Sequence, residues 1–294
     1  MTEFLKGSAT ALITPFTEHG VNFDALEKLI QYQIENGTDA LVILGTTGEP
    51  ATMTEEEKES VISFAVKQAK GKCKIIVGTG SNCTEKAVLA SKKAEAMGAD
   101  GVLAVTPYYN KCTQKGLISY YKAIAGAIKI PVIAYNVPSR TGVNILPETM
   151  KEIAEIPNIA GIKEASGNMA QVMETARLIR GKCDLYSGED ILNFPILAAG
   201  GVAVISVVSN LLPKEIKSLT ELVLKGDYKK ALALSDRLVP VAKACFTEVN
   251  PIPVKAGANL MGFHAGTPRA PLSECETENI EKLKKALLDF GVKL

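Results

Sequence analysis

Short β-branched runs alternate with longer amphipathic stretches from about residue 8 to residue 225. Ser8–Phe16 (SATALITPF) reads as a strand. Asn22–Gly37 follows with Leu26, Leu29, Ile30 and Ile34 at helical spacing and Gly37 as a stop. Ala40–Leu44 (ALVIL) predicts a second strand running into GTTGE, and Thr54–Ala69 a helix. Thr54 and Glu57 form a capping-box pattern, while Val61, Ile62, Ala65 and Ala69 mark an inner face. The alternation continues with strands at Lys74–Gly78, Gly101–Val105, Val132–Tyr135, Ile159–Lys163, Leu185–Tyr186 and Val202–Val208. Helices are expected over Thr84–Met97, about Lys115–Ile128, from Pro147, over about Met169–Arg180, after SGED to about Ala199, and from Pro213 to near Lys225.

Eight such units predict an α/β chain folded as a parallel (β/α)8 barrel, the TIM-barrel architecture. The strands read as continuous apolar runs with little alternation, as strands covered on both faces do. An open doubly wound sheet would place a glycine fingerprint after its first strand, and TEHG does not supply one. After Gly226 only helical patterns remain: Asp227–Ala244, Pro253–Met261 and Thr277–Phe290. The expected division is a barrel over 1–226 and a C-terminal helical appendix over 227–294.

Composition narrows the partners. Net charge is +1, from 33 basic and 32 acidic residues, so nothing favours nucleic acid or an anionic membrane. The opening MTEFLKGSATALITPF lacks the pattern of an export signal, and no apolar run approaches a membrane span. A cytoplasmic protein is expected. The six cysteines form no CxxC pair and read as reduced thiols, and the two histidines, His19 and His264, read as surface or structural residues. No metal-binding cluster is evident.

Active sites of such barrels lie at the carboxyl ends of the strands. That rule selects Thr46, Thr47 and Glu49 after strand two, Tyr108 and Tyr109 after four, Tyr135 and Arg140 at five, Lys163 and Glu164 at six, Gly188 after seven and the end of eight. Each has two readings. Lys163 is either ion-paired with Glu164 or Glu49, or it is used; burial would lower its pKa from ~10.4 toward the range where a neutral amine attacks a carbonyl. Tyr135 is a barrel-lining aromatic or an acid/base. Arg140 is a surface cation or a carboxylate clamp, and Thr46 and Thr47 are turn residues or substrate contacts. GTTGE lacks the GK[ST] element of a phosphate loop.

Taken in order, GTTGE (45–49), TPYYN (106–110), YNVPSRTG (135–142) and GIKEASGN (161–168) resemble the dihydrodipicolinate synthase family. That family lies within the superfamily of pyruvate-dependent Schiff-base lyases that includes N-acetylneuraminate lyase. The resemblance runs from LITPF to NPIPVK and LMGF, nearly the whole chain. It implies that Lys163 forms an imine with pyruvate, Tyr135 shuttles protons, and Thr46 links Tyr135 to Tyr109, which reaches in from a neighbouring subunit. It further implies that Thr47 holds the pyruvate carboxylate, Arg140 binds the carboxylate of L-aspartate 4-semialdehyde, and Gly188 and Ile205 line the pocket through backbone. No cofactor is implied. A homo-oligomer is, at least a dimer and commonly a tetramer. A sialic acid lyase or a 2-keto-3-deoxy sugar acid aldolase would keep Lys163, Tyr135 and Thr46; Arg140, Tyr109 and SRTG favour the synthase.

One part of the pattern departs. Where lysine-inhibited members bind the end product, this chain has Pro50, Ala51, Glu55, Lys58, Asn82, Lys86 and Tyr108. Lys86 stands in place of a glutamate and Lys58 in place of a neutral residue or histidine, and like charges repel a bound cation. Feedback inhibition by lysine is therefore expected to be weak or absent. A lysine titration of turnover checks this, and half-inhibition at sub-millimolar lysine overturns it.

Overall fold

The structure is a computed structural model describing residues 4–294. The eight runs form strands β1 Gly7–Ala11, β2 Ala40–Ile43, β3 Lys74–Gly78, β4 Gly101–Val105, β5 Val132–Asn136, β6 Ile159–Glu164, β7 Asp184–Ser187 and β8 Ala203–Ser206. Every neighbour pairs in parallel and β1 closes on β8, so the sheet is a complete barrel in chain order. Closure explains the unbroken apolar runs: β2 and β5 are buried at every position, with one face on the barrel interior and the other under the helices.

The helices form as their signals require. Helix α1, Phe23–Glu35, starts at Asn22, whose side chain accepts from Ala25 N. Helix α2, Glu55–Ala69, opens on the Thr54/Glu57 capping box with both reciprocal bonds made, and buries Val61, Ile62, Ala65 and Ala69. There follow α3 Thr84–Ala96, α4 Gln114–Ala125, α5 Pro138–Thr141, α6 Pro147–Ile153, α7 Met169–Ile179, α8 Asn193–Ala198 and α9 Pro213–Leu224. Three more close the chain: α10 Tyr228–Ala244, α11 Ile252–Leu260 and α12 Thr277–Phe290. Helix α10 packs on α8 and α9, and α12 packs on α10 and α11. Among the described residues no helix is long and apolar enough to cross a membrane.

Three stretches differ from the sequence reading. The first strand stops at Ala11 because the next segment has other partners: Ile13 N donates to Asn210 Oδ1, and Thr14 Oγ1 donates to the Gly48 carbonyl. Phe16–Thr17 then pairs with Gly20–Val21 in a small separate hairpin. The eighth strand stops at Ser206, where Asp190 captures the N–H groups of Val207 and Val208. Arg140, in a stretch for which no helix is predicted, rides on the single helical turn α5, opened by Pro138 and ended at Gly142 with φ +69°.

The turn after β2 is shaped by its neighbours. Leu44 (φ +57°) and Glu49 (φ +55°) adopt left-handed backbone on either side of the tight turn Thr46–Gly48. Such residues are strained, and strain of this kind concentrates at functional positions. A Cβ on Gly78 would lie 2.1 Å from the Leu44 carbonyl oxygen, so only glycine lets strands β2 and β3 bring this turn over the barrel mouth.

Candidate active site

Strand alternation assigns the two charged residues at the end of β6 to opposite faces. Glu164 points outward, where Asn136 Nδ2 donates to both its oxygens at 3.3 and 3.1 Å and Ser166 N donates at 2.7 Å. Burial raises the Glu164 pKa against those donors. Lys163 points inward and is 5% exposed. Neither acid proposed as its counter-ion is available. Glu164 is on the other face, and Glu49 is paired with Lys255 at 2.8 Å. Among the described residues Lys163 makes no ion pair; its Nζ lies 4.3 Å from the centroid of the Tyr135 ring. Burial lowers its pKa to about 8, with the Asp190 charge opposing that fall and the Arg140 charge adding to it.

Tyr135 is the direct cross-strand partner of Lys163, and Tyr186 is its partner on the other side. The Tyr135 phenol is itself buried, which raises its pKa; Arg140 and the Thr46 hydroxyl beside it act in the opposite direction. Gly188 supplies room: a Cβ there would lie 2.8 Å from both Cγ and Cε of Lys163. Ile205, on β8 opposite Ala9, is buried in the barrel wall.

Thr47 and Arg140 meet through a residue that the strand-end rule does not reach. Asn250 Nδ2 donates to Thr47 Oγ1 at 2.9 Å, and the Asn250 carbonyl accepts from Arg140 Nη2 at 3.1 Å. Asn250 begins NPIPVK, outside the barrel strands, so only the pairing across 203 residues reveals it. Asp190 is a second such residue. Its carboxylate caps the turn after β8, accepting also from Ser206 Oγ and Asn193 Nδ2, and holds a fixed negative charge toward Lys163.

Tyr109 is not brought to this cluster. Its side chain is 90% exposed, on left-handed backbone with φ +68°. Tyr108 beside it is also exposed, so the loop presents two aromatic rings to solvent in a single chain. Lys58 is held by Glu55 at 2.8 Å, and both histidines lie at the surface. A surface cavity of about 280 Å3 between α1, α9, α10 and α12 contains none of the strand-end residues.

A desolvated amine without a counter-ion at the carboxyl end of a barrel strand, with a phenol ring against it, has the chemistry to form an imine with a carbonyl compound. The chain belongs to the dihydrodipicolinate synthetase family, whose model matches residues 4–289. The 4-hydroxy-tetrahydrodipicolinate synthase of Caldicellulosiruptor bescii is 53% identical to it over 98% of this chain and 97% of that one. The crystal structure of dihydrodipicolinate synthase from Thermotoga maritima superposes with a TM-score of 0.96 at 44% identity, covering 98% of this chain and 99% of that one. The Acinetobacter baumannii enzyme, solved in complex with pyruvate, gives a TM-score of 0.96 at 40% identity over 98% and 99% of the two chains.

The lowered pKa sets a pH dependence. As pH falls below about 8 an increasing fraction of Lys163 is the ammonium, which cannot attack a carbonyl; above it the free amine predominates. The rate of imine formation with an α-keto acid is expected to rise through an apparent pKa near 8 and level off above it. A stopped-flow pH series checks this, and a profile still climbing steeply to pH ~10, the range of an ordinary lysine, contradicts it.

Proposed function

We propose that the chain condenses pyruvate with L-aspartate 4-semialdehyde through an imine on Lys163, the reaction of a 4-hydroxy-tetrahydrodipicolinate synthase. The observation that carries the reading is the buried Lys163 amine without a counter-ion against the Tyr135 ring. The neutral amine adds to the keto carbon of pyruvate, Tyr135 moves the protons that let water leave, and the imine forms. The imine then acts as the electron sink: loss of a methyl proton gives an enamine, whose carbon attacks the aldehyde. The amine of the second substrate displaces Lys163 as the ring closes, returning the lysine to its starting state. None of these steps calls for a metal or an organic cofactor.

Thr47 is the contact for the pyruvate carboxylate and Arg140 the clamp for the carboxylate of the second substrate, a role suited to a planar guanidinium. Thr46 relays protons between Tyr135 and Tyr109. Gly188 and Ile205 complete the wall. Exposure of Tyr109 on its own chain supports the reading in which it serves a neighbouring copy, so the working form is a homo-oligomer, a dimer at least. Residues 1–226 act as the catalytic barrel and 227–294 as its helical appendix, in a cytoplasmic enzyme without nucleic-acid or membrane partners.

Borohydride reduction in the presence of pyruvate, followed by peptide mass spectrometry, tests the chemistry. A pyruvate-derived mass increment on the peptide carrying Lys163 is expected; a folded chain that traps no pyruvate there refutes the mechanism. Exchange of Tyr109 for Phe is expected to lower kcat by about 100-fold or more, the size of a lost proton-transfer group, while the thermal midpoint stays unchanged. Full turnover in that variant removes Tyr109 from the relay.

A further inference from the structure

A second lysine is buried more deeply than the first. Lys255 is fully buried and Glu49 nearly so, yet they form an ion pair of 2.8 Å inside the protein. Both carboxylate oxygens and the ammonium have partners. Glu49 Oε1 takes Lys255 Nζ, and Glu49 Oε2 takes the Arg269 N–H at 2.9 Å. Lys255 Nζ donates again to the Thr267 carbonyl at 3.2 Å and sits 4.3 Å over the Phe16 ring. Removing two ions from water is costly, and an apolar pair of the same size would hold two elements together as well. In some proteins such a buried pair is kept because it fixes a single register.

The register being held is that of the catalytic turn. Glu49 closes the turn by donating its N–H to the Thr46 carbonyl at 3.1 Å. Lys255 is joined to the other side of the same turn: its N–H donates to the Pro251 carbonyl at 3.0 Å, and the preceding residue, Asn250, donates its amide to Thr47 and accepts from Arg140. The stretch 250–255 therefore grips Glu49, Thr47 and Arg140 at once.

We propose that Lys255 is a positioning residue, and that its ion pair with Glu49 holds Thr47 and Arg140 in the register that receives the two substrate carboxylates. The inference rests on the roles given to Thr47 and Arg140 above. Lys255 touches no substrate; it acts through Glu49 and through the turn that carries Asn250.

A double variant, Glu49→Gln with Lys255→Met, removes the charges while keeping chain length and an acceptor for the Arg269 N–H. The expected result is a folded barrel with KM for both substrates raised about tenfold and kcat changed far less, because positioning is lost and the reacting amine is untouched. A purely structural pair would lower the thermal midpoint and leave both KM values as they are, and that outcome overturns the proposal. Should the double variant fail to fold, Glu49→Gln alone removes the ion pair while keeping the shape of the side chain; a folded Glu49→Gln enzyme with unshifted KM values is equally fatal. Borohydride trapping of pyruvate on the unmodified chain is run alongside. Trapping on Lys163 with unshifted KM in the variants defeats the positioning role alone. No trapping on the unmodified chain defeats the reading of the site, and this inference with it.

Discussion

An ammonium kept from water without a counter-ion is the constraint around which this barrel is arranged. Lowering the Lys163 pKa from 10.5 to about 8 corresponds to about 3 kcal/mol in favour of the neutral amine. The surrounding fold must make that burial unavoidable. Barrel closure does so, because a side chain pointing inward from β6 has only the axis to occupy. Gly188 leaves space for the methylene stem, and the Tyr135 ring supplies an aromatic face instead of a carboxylate. Asp190, the acid whose field reaches the amine, is itself occupied by two backbone N–H groups and the side chains of Ser206 and Asn193. It moderates the shift without neutralising the site.

The contrast with Lys255 shows that burial alone does not leave a lysine without a counter-ion. Both ammonium groups lie about 4.3 Å from an aromatic centroid, and burial lowers both pKa values. Lys255 also has a carboxylate at 2.8 Å and a backbone carbonyl, which favour the charged form. One lysine has its charge answered by a carboxylate; the other, among the described residues, has no ion pair and a pKa lowered to about 8. Outward-facing polar residues of β5 and β6 play a similar supporting part. Glu164, Asn136, Asn144 and Gln171 bond to one another on the helical side of the strands and fix the loops that follow.

What could be read in the sequence follows from the range of the interactions involved. The eight strands were legible because burial on both faces writes itself into local composition, and α2 because the Thr54/Glu57 cap is a four-residue pattern. Lys163, Tyr135 and Thr46 were legible as polar residues ending apolar runs. The sequence leaves Glu49 open as one alternative partner for Lys163, since nothing near it in the chain announces a bond to Lys255 206 residues later. Asn250 was invisible for the same reason: it lies beyond the strands in a proline-rich stretch without periodicity. The ends of β1 and β8 were overrun because Ile13, Val207 and Val208 are apolar enough to continue a strand, and only their backbone partners, Asn210 and Asp190, divert them.

The Glu49 carboxylate carries a consequence for how the protein is made. Its two protein donors lie 206 and 220 residues downstream, in a chain synthesised from the other end. While the barrel strands emerge from a ribosome, the turn after β2 has its glycine and its left-handed residues but no anchor. All eight strands can pair before Lys255 and Arg269 exist outside the exit tunnel. The turn between Leu44 and Glu49, with its left-handed backbone, is therefore among the last parts of the chain to gain its side-chain anchors. Until they arrive, the Glu49 carboxylate lacks both of the protein donors that hold it.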